Sequence, residues 1–554
     1  MRSVLQVMGA VARNRPLARI VLAYAVFTAT QNAVWIAMLV YAYARGGAGT
    51  AGAVAVAQLV PAALVAPVAA GLADRRAPSG VLTVGYLVQV LGMLATAAAV
   101  ASDVAPAAYA AAVVASVAVA TTRPAQAALA PALVRSVEEL TATNAVTGWL
   151  ESMGAVASSL ATGVLLAVAG PGSVFAAAGL TGLLSVCLAA TVRGVRRPVG
   201  DSEAGGLGEM LAGLRVIGRQ PAPRFLAGLL TAHWVLVGAL DLLFVVLAVD
   251  VLGRDQGWVG YLNTVYGVGG VCAGVAGMAL VGRRLGPPIL VAVLLVGAGL
   301  GLTALLTSPA ATLLLLAVVG GGRALFAVAT RSLLQRAVPA DVVGRVFGAV
   351  EGLAMAGLAV GSLIVPLLVT AGGPVAAVLG TAALLPVVAL VRGRALVDLD
   401  TAADVPVVEI ALLRSLRIFR FLPGPELEGV ARSVRRVDLS PGEVLIREGD
   451  EGDRFYAVVD GGLDVTVHGD PAGRMVRGDG LGEIALLRSV PRTATVRAAE
   501  PSTVLALDRD DFLAAVAGHT ATGRTASTVA DERLEADRRR GQQPAGGDPD
   551  AEPA

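Results

Sequence analysis

Long apolar stretches fill the chain as far as Leu396, and they constrain its fold more than any other feature. Each is close to the ~20 residues that an α-helix needs to cross the hydrocarbon core of a bilayer. Because a segment in lipid must satisfy its own backbone polar groups, these stretches are predicted to be membrane-spanning helices. With 56% hydrophobic residues and a mean hydropathy of +0.73, the chain is too apolar for a soluble protein.

The apolar stretches form two sets, which a polar segment at 193–223 separates. At ~20 residues for each crossing, the pattern predicts about twelve spans, six in each set. The first set lies near 18–44, 51–73, 80–101, 106–122, 144–169 and 173–192, and the second near 225–251, 258–281, 288–307, 310–330, 344–370 and 375–391.

Short motifs recur at matching places in the two sets. The segment Gly71-Leu72-Ala73-Asp74-Arg75-Arg76 follows the second stretch, and a similar segment that begins at Gly277 follows the eighth, 206 positions later (277 − 71). Thr122 leaves the fourth stretch and Thr330 leaves the tenth, 208 positions apart (330 − 122). Two repeated six-helix halves are the architecture of an alternating-access transporter.

Arginine carries all of the basic side-chain charge outside histidine, because the chain contains no lysine. The loops on one side hold most of it, whereas the alternate loops hold only Arg45 and Arg254. By the positive-inside rule, the arginine-rich side is cytoplasmic, and both termini are predicted to lie there. The heavy use of Ala, Gly and Val is typical of a high-GC bacterium. Together with the apolar spans, it predicts a multi-pass protein of the bacterial inner membrane. The loops of the basic side contain Arg75 and Arg76, Arg123 and Arg135, Arg193, Arg196, Arg197, Arg215 and Arg219, Arg283 and Arg284, and Arg331, Arg336 and Arg345.

The most chemically specific run lies beyond the apolar region, at 482–496. Gly482 lets the backbone approach a ligand closely, and the N–H groups of the turn after Glu483 suit an anion. Arg492 offers a planar fork that binds two phosphate oxygens. The ionised carboxylate of Glu483 accepts hydrogen bonds from ribose hydroxyls. Together these residues predict a pocket for a cyclic phosphate on a ribose.

The region around this run alternates between short apolar strands and turns. Helical spacing covers 408–434 with a break at Leu422-Pro423-Gly424, and a second helix is predicted at 511–516. Strand patterns lie at 444–447, 455–459, 463–467, 493–498 and 503–507. They predict a small barrel of strands with flanking helices.

The segment Gly71–Arg76 resembles the Gly-x-x-x-Asp-Arg signature of the major facilitator superfamily, with two residues instead of three between Gly71 and Asp74, and the resemblance covers 15–392. The loops at 122–148 and 334–348 resemble the branch that contains macrolide and siderophore exporters. The resemblance implies efflux of a small molecule through a central cavity between the halves. The proline-glycine motif of many drug–proton antiporters is not evident in the fifth span, which disfavours proton antiport.

The segment at 409–520 resembles the cyclic nucleotide-binding domain, through the run at 482–496, the run at 446–456 and Gly461. The resemblance implies that Glu483 binds the ribose 2′-hydroxyl and that Arg492 binds the cyclic phosphate. It also implies backbone contacts from Gly482, Ile484 and Ala485. Thr493 is placed to accept a hydrogen bond from a guanine amino group, and the choice between cyclic AMP and cyclic GMP stays open.

Charged side chains within the spans are costly and often functional. Arg323 and Glu351 fall at a similar depth on consecutive spans, so we expect an ion pair between them that acts as a structural staple. Glu151, the repeat mate of Glu351, has no matching arginine, which makes it the better candidate for a titrating or cargo-facing carboxylate. Asp241 is a further transport candidate, which faces either the cavity or a partner side chain. Gln31 and Asn32 either line the cavity or bond to neighbouring helices. Asp74 and Arg75 are gating candidates at the cytoplasmic gate.

The predicted fold is an all-α polytopic membrane protein of two six-helix pseudo-repeats, followed by a cytosolic jelly-roll-like β-barrel with flanking helices. The predicted parts are a cytoplasmic leader at 1–17, the first half at 18–192, a linker at 193–223, the second half at 224–392, a linker at 393–408, the nucleotide-binding domain at 409–520 and a disordered tail at 521–554.

These features predict a secondary transporter, regulated by a cyclic nucleotide, with the lipid bilayer and a small-molecule cargo as its other partners. Two alternatives remain: a membrane-tethered nucleotide receptor that does not transport, and an exporter whose sensor fold binds no ligand. The net charge of +2 suggests no nucleic-acid partner. An enzyme is not expected, because the sequence shows no nucleophile–base set and no cluster of metal ligands.

Overall fold

The fold is described from a computed structural model. It covers residues 13–75, 78–134, 137–192, 207–277, 284–306, 308–338, 342–402, 407–420, 422, 424–517, 522, 525–532 and 535. Two compact units are present: Met1–Leu280 with Arg284–Ala403 form the first, and the second is built around Asp404–Ala554.

The first unit is helical throughout its described residues. Its helices are α1 (Arg15–Arg75), α2 (Pro78–Ala101), α3 (Ala105–Leu133), α4 (Val137–Ala190), α5 (Leu207–Arg219), α6 (Pro221–Val246), α7 (Trp258–Gly277), α8 (Gly286–Leu305), α9 (Pro309–Ala337) and α10 (Val343–Ala402). A π-helical turn at Leu247–Val251 continues α6.

Seven helices among the described residues are long and apolar enough to cross a membrane, which agrees with an embedded protein. The three longest each contain a backbone break at glycine: Gly46 and Gly47 in α1, Gly170 in α4, and Gly373, with φ of 79°, in α10. Apolar segments of 51, 49 and 47 residues exceed twice the ~20 residues of one crossing. Each broken helix is therefore long enough for two spans, and the count of twelve stays a prediction.

Three helices extend past the ends that hydropathy predicts. Helix α3 continues to Leu133, beyond the expected end at 122, α9 continues to Ala337, beyond 330, and α10 continues to Ala402, beyond 391. Hydropathy marks the part of a helix that lies in lipid, and it says nothing of helical turns that continue into water. The predicted domain limits at 392 and 408 stay predictions, and the leader at 1–17 lies mostly outside the described residues.

Glycine brings helices of the two halves into backbone contact. A Cβ atom added at Gly260 of α7 would lie 2.5 Å from the carbonyl oxygen of Ser159 on α4. One added at Gly52 of α1 would lie 2.8 Å from the carbonyl oxygen of Ser362 on α10. Small residues allow such approach, and close packing replaces the hydrophobic effect as the force that holds helices together in lipid.

Hydrogen bonds between α1 and the end of α6 also join the halves. The indole Nε1 of Trp35 donates to Oδ2 of Asp241 at 2.9 Å, across a separation of 206 residues. The hydroxyl of Tyr43 donates to Asp250 across 207 residues. These separations match the offset between the repeated sequence motifs, so each bond joins residues at nearly equivalent positions of the two halves.

The second unit has two four-stranded antiparallel sheets, in the orders β1-β8-β3-β6 and β2-β7-β4-β5. Its helices are α11 (Val407–Ser415), α12 (Gly424–Ser433), α13 (Glu483–Arg488) and α14 (Arg509–Ala517), and its strands are β1 (Arg435–Leu439), β2 (Val444–Ile446), β3 (Arg454–Asp460), β4 (Gly462–Val467), β5 (Asp470–Val476), β6 (Gly480–Leu481), β7 (Thr495–Ala498) and β8 (Ser502–Asp508).

Two apolar clusters hold this unit together. Alternate residues of the strands fill the space between the sheets, with Val458, Leu463 and Val504 fully buried. The flanking helices pack on the other side of β3, where the rings of Phe455 and Phe512 stack at 4.9 Å. The predicted fold class, a helical membrane region followed by a β-domain with flanking helices, is confirmed.

Gly260→Ala should lower the apparent melting temperature of the full chain in detergent. The added methyl group meets backbone, which cannot rotate away, so α4 and α7 must separate at a cost of about 1–3 kcal/mol. Gly274→Ala is the matched control, because it lies on the same helix and no atom of the described residues lies within 4 Å of the new Cβ atom. The control should be neutral or slightly stabilising, since alanine favours helix over glycine. Equal melting temperatures for the two variants would show that the contact does not hold the halves together.

Candidate functional site

A cavity of about 260 Å³ opens in the second unit between the strands and the short helix α13. Strands β4 and β5 form one wall, and the segment from Leu481 at the end of β6 to Ala485 in α13 forms another. All six residues that the sequence predicts for a nucleotide site line this one cavity. They are Gly482, Glu483, Ile484, Ala485, Arg492 and Thr493.

Arg492 is buried against the cavity wall, with 5% of its side chain exposed. Its Nη1 atom donates to the carbonyl oxygen of Gly482 at 3.1 Å. Its Nη2 atom donates to the carbonyl oxygen of Arg454 at 2.8 Å and lies 3.5 Å from Oδ1 of Asp453. Two of these three acceptors are neutral carbonyls, which do not cancel the positive charge of the guanidinium. Arg492 can therefore still attract a further anion in the cavity.

The surroundings of Arg492 have opposing effects on its pKa. Burial lowers the pKa of the guanidinium, whereas the nearby Tyr456, Asp453 and Glu483 raise it. Arginine begins from so high a value that it stays protonated in proteins. The guanidinium of Arg492 therefore gives the cavity a permanent positive charge that is largely buried away from water.

Gly482 is required by both its backbone and its neighbours. Its φ of 91° lies in the left-handed region, which glycine adopts without strain. A Cβ atom here would lie 2.5 Å from Nη1 of Arg492 and 2.9 Å from the carbonyl oxygen of Arg454. The glycine thus leaves room for the guanidinium and also turns the chain from β6 into α13.

Glu483 follows at the first position of α13 and is fully buried. A carboxylate in such a place is costly unless it faces polar groups, and Glu483 acts electrostatically on Arg492 across the cavity. Ile484 and Ala485 are buried beside it. Thr493 follows Arg492 on the cavity lining and is half-buried.

Sequence reasoning missed the apolar wall of the cavity and the acceptors of Arg492. The wall includes Ile446, Val465, Met475 and Leu481, and alternation along the strands was the signal available for it. Asp453 had no such signal, because its role depends on the fold that brings β3 beside Arg492.

Arg509 at the start of α14 joins two loops of the second unit through hydrogen bonds. Its Nη1 atom donates to the carbonyl oxygen of Gly452 at 3.1 Å, and its Nη2 atom donates to Oγ of Ser489 at 3.2 Å. The first loop precedes Asp453, and the second ends α13. Arg509 therefore fixes the spacing of the segments that carry Asp453 and Glu483.

In the first unit, Asp241 and Arg323 lie close enough to interact electrostatically. Asp241 accepts the hydrogen bond from Trp35, and Arg323 lies over the ring of Tyr266 with its Cζ atom 5.4 Å from the centroid. The Nε atom of Arg323 is buried and has no hydrogen-bond partner within the described residues. Residues of α1, α6, α7 and α9 thus form one polar group inside the helical unit.

The predicted ion pair between Arg323 and Glu351 is wrong. Glu351 is exposed, and its Oε1 atom lies 3.2 Å from Nη2 of Arg331. The prediction placed Arg331 at the end of its span, whereas α9 runs to Ala337 and carries Arg331 within the helix. Depth along a helix also leaves its rotation undetermined, and the rotation of α9 turns Arg323 towards Tyr266.

The remaining transport candidates have separate surroundings. Glu151 on α4 accepts a hydrogen bond from the hydroxyl of Tyr24. Asn32 donates to Oγ of Ser158 at 2.9 Å, so it binds a neighbouring helix. The Oε1 atom of Gln31 is buried and has no hydrogen-bond partner in the described part of the chain. The side chains of Asp74 and Arg75 lie outside the described residues.

The comparison with protein families identifies both units. The model of the Major Facilitator Superfamily matches residues 20–350, and the model of the Cyclic nucleotide-binding domain matches 436–519. The first match covers more than half of the chain, so the chain belongs to the major facilitator superfamily, a family of transporters. It also carries a cyclic nucleotide-binding domain in its second unit. Neither match bears on the macrolide and siderophore exporter branch, which stays a prediction.

Three individual relatives each match a quarter of the chain or less. The cAMP-dependent protein kinase regulatory subunit of Blastocladiella emersonii is 37% identical over 112 residues, which are 19% of this chain and 28% of the relative. The Catabolite Activator Protein of Thermus thermophilus is 26% identical, with a TM-score of 0.21, over 23% of this chain and 62% of that structure. The cAMP-bound regulatory domain of Toxoplasma gondii PKA is 24% identical, with a TM-score of 0.22, over 25% and 55%. The matched segment therefore spans less than two thirds of each relative.

Gly482→Ala should loosen the cavity more than Gly442→Ala. Both glycines have positive φ, 91° and 86°, so both substitutions cost about 1–2 kcal/mol in backbone strain. Only position 482 adds a clash, because no atom in the described part of the chain lies within 4 Å of a Cβ atom at Gly442. Hydrogen exchange of peptides from β3 and β7 should therefore accelerate more in Gly482→Ala. Equal acceleration in both variants would mean that Arg492 adapts to the methyl group without loss.

Proposed function

We propose that this protein is a secondary transporter that exports a small molecule from the cytoplasm and is regulated by a cyclic nucleotide bound to its second unit. Membership of the major facilitator superfamily supports transport. The arginine-rich loops support a multi-pass arrangement in the bacterial inner membrane with both termini in the cytoplasm. Efflux follows from the resemblance of the loops at 122–148 and 334–348 to exporters.

The buried guanidinium of Arg492 carries the regulatory part of this proposal. Arg492, Glu483 and Gly482 lie on one cavity of about 260 Å³. A cyclic phosphate there replaces water around Arg492 and gains charge-assisted hydrogen bonds. The carboxylate of Glu483 accepts a hydrogen bond from the ribose 2′-hydroxyl, and the apolar wall with Val465 and Met475 receives the base.

A nucleotide regulates transport only if it binds one conformation of the transporter more tightly than another. Helix α10 ends at Ala402 and α11 begins at Val407, so residues 403–406 alone separate the last helix of the first unit from the first helix of the second. A connection this short is suited to pass a change in the position of α11 to α10.

Binding of cyclic AMP and cyclic GMP to the full chain in nanodiscs, measured by isothermal titration calorimetry, tests the sensor. Arg492→Gln should weaken binding by roughly 100-fold, because each lost charge-assisted hydrogen bond is worth about 1.5–3 kcal/mol. Arg474→Gln is the control, since Arg474 also lines the cavity but holds Glu500 in a half-exposed ion pair at 2.8 Å. Absence of binding to the unmodified chain would exclude the regulatory function and favour an exporter with an unliganded sensor fold.

Thr493 is the residue to test for the choice of base. If its hydroxyl accepts a hydrogen bond from the guanine amino group, Thr493→Ala should weaken cyclic GMP by about five- to tenfold, the worth of one hydrogen bond. Cyclic AMP, which lacks that amino group, should bind the variant as before. An equal effect on both nucleotides would assign Thr493 a structural role alone.

Transport and its regulation are tested with everted membrane vesicles and a panel of lipophilic fluorescent compounds. Energised vesicles that contain the protein should accumulate at least one compound, and saturating nucleotide should change the rate. Arg492→Gln should transport at the rate of the nucleotide-free protein whether nucleotide is present or not. A rate that ignores nucleotide, in protein that binds it, would contradict the proposed regulation. Binding without accumulation of any compound would favour a membrane-tethered receptor.

The polar group within the first unit is proposed to meet the transported molecule. Asp241 lies where the halves bond through Trp35, and the buried Nε of Arg323 supplies a donor. Arg323→Gln and Asp241→Asn should each abolish accumulation while nucleotide binding persists.

Glu151→Ala tests the separate proposal that this carboxylate titrates or faces the cargo. Asp74 and Arg75 are proposed as gating residues.

A further inference from the structure

Helix α5 of the segment between the halves lies against the start of a spanning helix. A Cβ atom added at Gly213 would lie 2.7 Å from the carbonyl carbon of Arg345 and 2.9 Å from Cβ of Ala349, both in the first turns of α10. Gln220 alone separates α5 from α6, which is itself apolar enough to span a membrane. Helix α5 thus lies against the start of α10 and directly before the start of α6.

The helix is amphipathic, and its two faces differ in what covers them. Ile217 is buried, and Leu214 packs against the core of the helical bundle. The opposite face bears Leu211, which is 48% exposed, and the exposed Arg215 and Arg219. These three residues follow at intervals of four and form one stripe along the helix. An apolar residue next to arginines on an outer stripe is typical of a helix that lies in a membrane interface.

Four exposed arginines lie on this helix or beside it. They are Arg215, Arg219, Arg224 and Arg345, and none of them forms an ion pair with a carboxylate whose side chain the structure describes, a set that leaves out Glu209 and Asp341. The arginines of the alternate loops are engaged instead: Arg45 pairs with Asp103, and Arg254 lies over the ring of Trp258. The charge around α5 is therefore available to an outside anion.

We propose that α5, with Arg215, Arg219, Arg224 and Arg345, binds the headgroups of anionic phospholipids. The guanidinium fork matches phosphate oxygens in pairs and is weakly hydrated, so it exchanges water for phosphate at low cost. Leu211 enters the acyl boundary beside the headgroups, and the arginine stems extend along it to the charged layer. The surface thereby anchors the segment between the two halves to the bilayer and fixes the start of α6 and α10 in depth.

Nanodiscs of phosphatidylcholine with a defined fraction of phosphatidylglycerol test this proposal on the full chain. Native mass spectrometry after release from the discs measures the ratio of retained phosphatidylglycerol to retained phosphatidylcholine. The unmodified protein should retain phosphatidylglycerol in excess. The triple variant Arg215→Gln, Arg219→Gln, Arg224→Gln should lower the retained ratio by roughly tenfold or more, because each arginine contributes separately to attraction by an anionic surface.

Two further variants make the result specific to this surface. Arg436→Gln, Arg477→Gln, Arg497→Gln removes the same charge from exposed arginines of the second unit and should leave the ratio unchanged. Replacing Arg215, Arg219 and Arg224 by lysine keeps the charge and should retain most of the excess, which separates loss of attraction from loss of folding. No excess in the unmodified protein, an unchanged ratio in the glutamine variant, or an equal loss in the second-unit variant would each overturn the proposal.

Discussion

Close backbone approach at glycine is the constraint on which the helical unit depends. In lipid, no hydrophobic driving force draws one apolar helix to another, so packing distance decides which helices associate. Gly260 and Gly52 let helices of one half touch the carbonyl groups of the other. The polar bonds between Trp35 and Asp241 and between Tyr43 and Asp250 form across the same interface. The polar group around Arg323 lies inside the bundle that these contacts hold together.

The nucleotide-binding unit depends on a different interaction. The buried guanidinium of Arg492 is held by carbonyl oxygen atoms of the main chain. Arg492 binds the carbonyls of Gly482 and Arg454, and its own backbone N–H donates to the carbonyl of Asp450. These contacts tie the β2–β3 loop, the start of β3 and the turn before α13 to one residue, which lies before β7. A ligand that binds Arg492 therefore affects all three segments at once, as expected of a site that senses a ligand.

The sequence predicted features whose residues lie together in the chain. The run at 482–493 contains all six residues that were predicted for the cavity, and hydropathy located the long apolar helices because lipid selects composition directly. Strand β5 was missed, since Asp470–Val476 is largely exposed and shows no apolar alternation. The partner of Glu351 was assigned wrongly, because spacing along α9 gives depth and leaves rotation open. The bond from Trp35 to Asp241 had no local signal, since its ends are 206 residues apart.

The separation of 206 residues between Trp35 and Asp241 has an evolutionary meaning. If the two halves were identical subunits related by a two-fold axis, residues at equivalent positions near the axis would meet their own copies. A tryptophan cannot form this hydrogen bond with a second tryptophan, nor an ionised aspartate with a second aspartate, because each pair lacks either an acceptor or a donor. Fusion into one chain lets the copies diverge, and the bond between Trp35 and Asp241 is one that only an asymmetric pair of halves is able to make.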